Sequence, residues 1–148
     1  MSGLRLHFYA SKRPEAQDAL SVLTKKYGQC SEDDADVIVA LGGDGAMLDS
    51  LRRQFEGGQP VYGMNRGTVG FLMNEFKADG LAERLNLAHQ SELHPLRMTA
   101  ENHYGVVQEA LAINEVSLLR QSGQAAKLRI CIDGKVRIDE LICDGCMV

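Results

Sequence analysis

Residues 4–10 form an apolar and aromatic stretch that reads as a buried strand. From Pro14 the spacing changes to a helical one, with Ala16, Leu20, Leu23 and Tyr27 on one face. Proline is favoured at a first helical position, and Gly28 stands where a helix end takes up a left-handed residue. Asp36-Val37-Ile38-Val39-Ala40-Leu41 is a near-continuous apolar run, as expected of a strand covered on both faces of a parallel sheet. Gly42-Gly43-Asp44-Gly45 follows directly. The pattern then predicts a helix from 46 to about 55, closed by Gly57-Gly58, and a third strand over 60–64. A glycine-bearing loop, Asn65-Arg66-Gly67-Thr68-Val69-Gly70, precedes another helix over 78–89, with Leu81, Leu85 and Ala88 on one face. Strands alternating with helices predict an open, Rossmann-like α/β domain with a parallel sheet.

The pattern changes near His94-Pro95. Leu96, Met98 and Ala100 alternate with Arg97, Thr99 and Glu101, and Leu128, Ile130 and Ile132 alternate in the same way. Val136 and Ile138 continue the pattern after Asp133-Gly134, a strong two-residue hairpin signal. Residues 104–119 read as extended, with a turn around Gln121-Ser122-Gly123. No helical spacing occurs after residue 95. The expected organisation is an α/β domain over 1–94 and part of an antiparallel β-sandwich over 95–148, with the boundary near 92–96. Cys146-Met147-Val148 carries no terminating turn, so the β region reads as an unfinished sandwich and the chain as truncated.

Composition narrows the class without naming it. The 148 residues suffice for a sizeable core. Sixteen Lys and Arg against twenty Asp and Glu give a net charge of −4, which offers no electrostatic footprint for nucleic acid. No apolar run approaches a membrane span, and the first residues lack the build of a signal peptide, so no membrane partner is expected and the cytoplasm is the default location. Four cysteines (Cys30, Cys131, Cys143, Cys146) are too few and too clustered for a secreted disulfide framework and read as reduced thiols.

Chemistry concentrates at Gly42-Gly43-Asp44-Gly45. Open α/β sheets bind ligands beyond the carboxyl ends of their strands, so this turn points at a site. Glycines let the backbone approach a ligand, and a helix N-terminus offers free N–H groups to phosphate oxygens. A carboxylate in such a turn repels phosphate unless it binds a metal or takes a proton from a hydroxyl. Both uses fit phosphoryl transfer to an alcohol. The spacing is not G-x-G-x-x-G, because Leu48 stands at the third glycine, and no Gly-Lys-Ser/Thr of a Walker loop occurs. The competing reading is a tight strand-to-helix turn with Asp44 as a helix cap.

Two further segments bear on that choice. Asn65-Arg66-Gly67-Thr68-Val69-Gly70-Phe71-Leu72 follows the third strand and should line the same edge of the sheet; alone it reads equally as a structural loop with Phe71 in the core. Asn114-Glu115 interrupts an apolar run, where a polar pair must be hydrogen-bonded, face a ligand, or mark a strand end that reaches water.

In this order the three segments resemble the NAD kinase family, which has a G-G-D-G turn, then an N-x-G-x-x-G-F-L loop, then an N-E or N-D pair. The resemblance covers essentially the whole chain. G-G-D-G alone also occurs in 6-phosphofructokinases and diacylglycerol-type lipid kinases. The resemblance implies ATP-dependent phosphorylation of the adenosine-ribose 2′-hydroxyl of NAD, giving NADP, with Mg²⁺ or another divalent cation carried on the phosphates. It implies that Asp44 is the general base and a sugar-hydroxyl contact, with Gly45 beside it. It places Phe71 near the adenine and Asn114 and Glu115 on NAD. Asp144 matches a family aspartate near the site and a subunit interface. Polyphosphate replaces ATP in some relatives, and a homodimer or homotetramer is implied. Ala46 departs from the threonine common after the motif, and a later nucleotide-lining T-P-T-G-S-T-A-Y-like segment lies outside the sequence.

Other signals are weaker. Cys143-Asp144-Gly145-Cys146 has metal or redox spacing but no second ligand pair. Lys25-Lys26 and Arg52-Arg53 read as solvated helix faces. Besides an NAD kinase, two alternatives remain: a G-G-D-G kinase of a lipid or sugar phosphate, and a non-catalytic nucleotide-binding fragment.

Overall fold

The computed structural model describes residues 3–67 and 70–148, so Thr68 and Val69 of the glycine loop lie outside the described residues. The chain divides into two compact units, one ending at Glu92 and the other beginning at Leu93.

The first unit is built on β1 (Leu6–Ala10), β2 (Val37–Gly42) and β3 (Val61–Asn65), hydrogen-bonded in the order β1-β2-β3. All pairings are parallel, as the apolar run of β2 predicts. Ile38, Val39, Ala40 and Leu41 are fully buried because successive side chains of this central strand point to opposite, covered faces. The register sets Leu41 against Ala10 and Met64, and Gly42 against Asn65, so the carboxyl ends of the strands lie level.

Helix α1 (Pro14–Tyr27) begins on its proline and ends at Gly28, whose φ is 82°. It buries Ala16, Ala19 and Leu23 in a core shared with Leu6, Phe8, Val39, Leu41, Met64 and Leu81. Helix α2 (Asp44–Gly57) covers the other face: Tyr9, next in β1 after Phe8, donates its hydroxyl to Asp49 of α2 and lies under Arg53, 4.5 Å from the ring centre. Helix α3 (Leu81–Leu87) is shorter than the 78–89 pattern predicts. The Tyr27 hydroxyl fixes its start, donating to Ala78 O at 2.7 Å and accepting from Leu81 N–H at 3.3 Å. At the amino edge, Arg5 clips Asp36 through its backbone N–H (2.8 Å) and guanidinium (2.9 Å).

The second unit is antiparallel throughout, in three separate two-stranded ladders. They pair β4 (Leu96–Glu101) with β5 (Val107–Ala112), β6 (Ser117–Leu119) with β9 (Gly145–Met147), and β7 (Ala126–Ile132) with β8 (Lys135–Cys143). Asp133 and Gly134 take φ of 51° and 72°, the left-handed pair that a tight hairpin requires. Tyr104 was expected in an extended run and instead sits in the β4–β5 turn, where Asn102 Oδ1 accepts the N–H groups of Tyr104 and Val106, both at 3.0 Å. Asn114 and Glu115 occupy the bend between β5 and β6 and are exposed, the strand-end alternative in which water can satisfy them.

Candidate functional site

Gly42 closes β2 with φ 154°, and a Cβ there would stand 2.8 Å from Ala46 Cβ. Only glycine lets α2 turn in so abruptly. The helix therefore starts two residues earlier than the sequence pattern predicts: Gly43 is the N-cap and Asp44 the first helical residue. Gly43 O accepts from Ala46 N–H at 2.9 Å and Met47 N–H at 3.3 Å. The N–H groups of Gly43, Asp44 and Gly45 find no acceptor among the described residues. They form the positive end of a 14-residue helix at the carboxyl edge of the sheet.

The N-cap position is taken by Gly43, not Asp44, which sets aside the reading of Asp44 as the helix cap. Its half-buried carboxylate reaches the loop beyond β3 instead: Oδ2 accepts the Phe71 N–H and Oδ1 the Leu72 N–H, both at 3.0 Å. Those two donors fix the carboxylate's orientation and leave lone pairs for a further partner. The loop is itself anchored. Arg66 N–H donates to Gly42 O at 2.7 Å, Gly67 N–H to Asn65 Oδ1 at 2.9 Å, and Asn74 pairs with β3 through Asn65 N–H (2.8 Å) and Gly63 O (2.9 Å). Three segments thus meet at one edge: the end of β1, the Gly42–Gly45 turn and the loop after β3. Such a site can orient a hydroxyl against a carboxylate and hold phosphate on backbone N–H groups.

Of the residues singled out from sequence, Asp44, Gly45 and Phe71 come together here. Gly45 is exposed in the first turn of α2. Phe71 is 96% exposed, so it is not a core residue, and its ring is free while its N–H holds the carboxylate. Asn114, Glu115 and Asp144 belong to the second unit. There the Asn114-Glu115 pair precedes β6, and Asp144 lies at the other end of the β6–β9 ladder, paired with Arg120 Nε at 2.6 Å. Asn65, Gly70 and the Phe71 and Leu72 N–H groups escaped the sequence reading as working parts, although the loop containing them did not. Among the described residues, no three or more His, Cys, Asp or Glu side chains are grouped to hold a metal ion, the Cys143–Cys146 segment included. No helix among them is long and apolar enough to cross a membrane.

An open parallel sheet with a helix N-terminus at the carboxyl end of its central strand, and unspent N–H groups there, is the build of an α/β protein with an anion-binding edge. Residues 5–92 match the family model described as the ATP-NAD kinase N-terminal domain, and the chain belongs to the NAD kinase family. It is 64% identical over 148 residues to an NAD kinase of Hyphomonas neptunium, all of this chain and 58% of that protein. It is 57% identical over 144 residues to an NAD kinase of Caulobacter vibrioides, 97% of this chain and 55% of that one. With an NAD kinase of Brucella suis the identity is 55% over 147 residues, 99% and 57% of the two chains. The chain thus spans rather more than half the length of these curated relatives.

Proposed function

We propose that this chain supplies the Asp44-bearing part of an enzyme that transfers the γ-phosphoryl group of ATP to the adenosine-ribose 2′-hydroxyl of NAD, forming NADP. The observation that carries the reading is the Asp44 carboxylate, held by two backbone N–H groups at the mouth of an anion-binding helix end. In this mechanism Asp44 orients the hydroxyl and accepts its proton as the oxygen attacks the γ-phosphorus, the bond from that phosphorus to the β–γ bridging oxygen breaks and ADP leaves, and the N–H groups of the turn steady the phosphates.

On the same reading Gly45 borders the sugar, the free ring of Phe71 lies along the adenine, and Asn114, Glu115 and Asp144 contact NAD. Among the described residues no three or more His, Cys, Asp or Glu side chains are grouped, which suits a cation carried mainly on phosphate oxygens. Mg²⁺ so carried would neutralise charge on the transferring group. Polyphosphate is a second possible donor, and a cytoplasmic homodimer or homotetramer is the expected setting.

A coupled assay for NADP compares the wild type with Asp44→Asn. Formation by the wild type and a loss of at least about a thousandfold in the variant support the proposal. Equal rates would remove Asp44 from the chemistry, and NAD binding without turnover would leave only a binding role.

A further inference from the structure

We propose that Arg13, on the loop between β1 and α1, binds the terminal phosphates of the phosphoryl donor; the assignment rests on the kinase reading above. Asp44 brings negative charge to the place where a triphosphate must lie, so the edge needs a fixed cation as well as N–H groups. A Walker loop would carry its own lysine, and none is present.

Because Ser11 N–H donates to Leu41 O at 2.9 Å, the residues that follow it emerge beside the Gly42–Gly45 turn. Lys12 and Arg13 come from this segment, and Arg66 from the loop after β3. Arg66 is already engaged: its Nε donates to Glu15 O at 3.1 Å and its guanidinium lies 4.5 Å from the Phe76 ring centre. Arg13 has no carboxylate partner among the described residues.

The position of Arg13 is specific. The point where a Cβ of Gly67 would stand lies 3.4 Å from Arg13 Nη1 and 3.7 Å from Gly43 N. Arg13 Nη1 and the unspent Gly43 N–H thus stand close together beside Gly67, near enough for the oxygens of one phosphate group to reach both. The main chain of Arg13 is held meanwhile, since its O accepts the N–H groups of Ala16 and Gln17, both at 3.1 Å. An exposed, unpaired fork on a fixed backbone suits bidentate phosphate recognition better than a lysine would.

The test compares Arg13→Gln and Arg13→Lys in the full chain with Arg52→Gln. Arg52 is exposed on α2, about 12 Å along the helix from Asp44, and controls for the lost charge. Two measurements are made: KM for ATP and for NAD, and calorimetric affinity for inorganic tripolyphosphate. Arg13→Gln should raise KM for ATP and weaken tripolyphosphate binding by about tenfold or more, with KM for NAD within about twofold of wild type. Arg13→Lys should fall between, and Arg52→Gln should match wild type. If Arg13→Gln stays within about twofold of Arg52→Gln in both measurements, the assignment is overturned. Should Asp44→Asn leave NADP formation unchanged while Arg13→Gln still loses tripolyphosphate, the kinase reading fails and the phosphate contact stands. If turnover depends on Asp44 but not on Arg13, the kinase reading stands and this contact fails.

Discussion

Gly70 lies so close to Asp44 that a Cβ added to it would stand 2.8 Å from Oδ1 and 3.0 Å from Met73 Cγ. The glycine is the space into which the carboxylate leans while Phe71 and Leu72 hold it. Gly70→Ala must push either the carboxylate or the loop, and either shift breaks the two N–H contacts. NADP formation is expected to fall at least about tenfold, with a stability loss of only ~1–3 kcal/mol in urea titration. A variant with full turnover would show that the carboxylate's placement is not set by this loop.

Gly42 faces a harder obstacle, because a Cβ there meets Ala46 Cβ at 2.8 Å and Ser11 Oγ at 3.1 Å, at φ 154°. Gly42→Ala is expected to destabilise the fold by ~1–3 kcal/mol through the clash and the backbone. Adding Ala46→Gly should restore part of that loss, despite costing ~1 kcal/mol of helix propensity on its own. Strict additivity of the two changes in denaturant melts would contradict the contact.

Acid should loosen the first unit through its surface pairs. The side-chain hydrogen bond from Arg5, joined by the Arg5 backbone N–H, lowers the Asp36 pKa below its ordinary value. Lys26 does the same for Asp79, and Lys77 for Glu75. A carboxylate lowered on folding adds stability that is complete above its unfolded pKa, about 4, and is lost as pH falls through the lower folded value. Melting temperature should therefore drop as pH passes below about 4, with a smaller drop in high salt because the pairs are exposed. Asp36→Asn should flatten the acid limb, and a limb unchanged by Asp36→Asn would rule this pair out as a contributor.

The layout of the first unit was legible because its signals are side-chain signals. Val37 through Leu41 read as a doubly covered strand, and Ile38 through Leu41 pair on both edges in parallel. Pro14 and Gly28 marked the ends of α1 because each acts through its own φ. The start of α2 was misplaced because glycine propensity argues against a helix before Ala46, whereas the level strand ends and the missing Cβ at Gly42 allow Asp44 to begin it. The grip on Asp44 could not be read at all, since its donors are main-chain N–H groups of Phe71 and Leu72, which any residue but proline would supply. At Asn114-Glu115 the sequence left a buried pair and a strand end equally open, because a polar pair between apolar residues fits both; the run breaks there and both residues are exposed.

The level carboxyl ends of β1, β2 and β3 impose an asymmetry on how this chain can vary. A residue inserted before Val37 can be taken up in the connection ahead of the Arg5–Asp36 clip without altering the far edge. The same insertion between Val39 and Gly42 would advance the turn by about 3.3 Å, reverse the faces of the residues beyond it, and part Asp44 from a loop anchored independently on β3. Length is therefore free to drift at one end of this sheet and held fixed at the other.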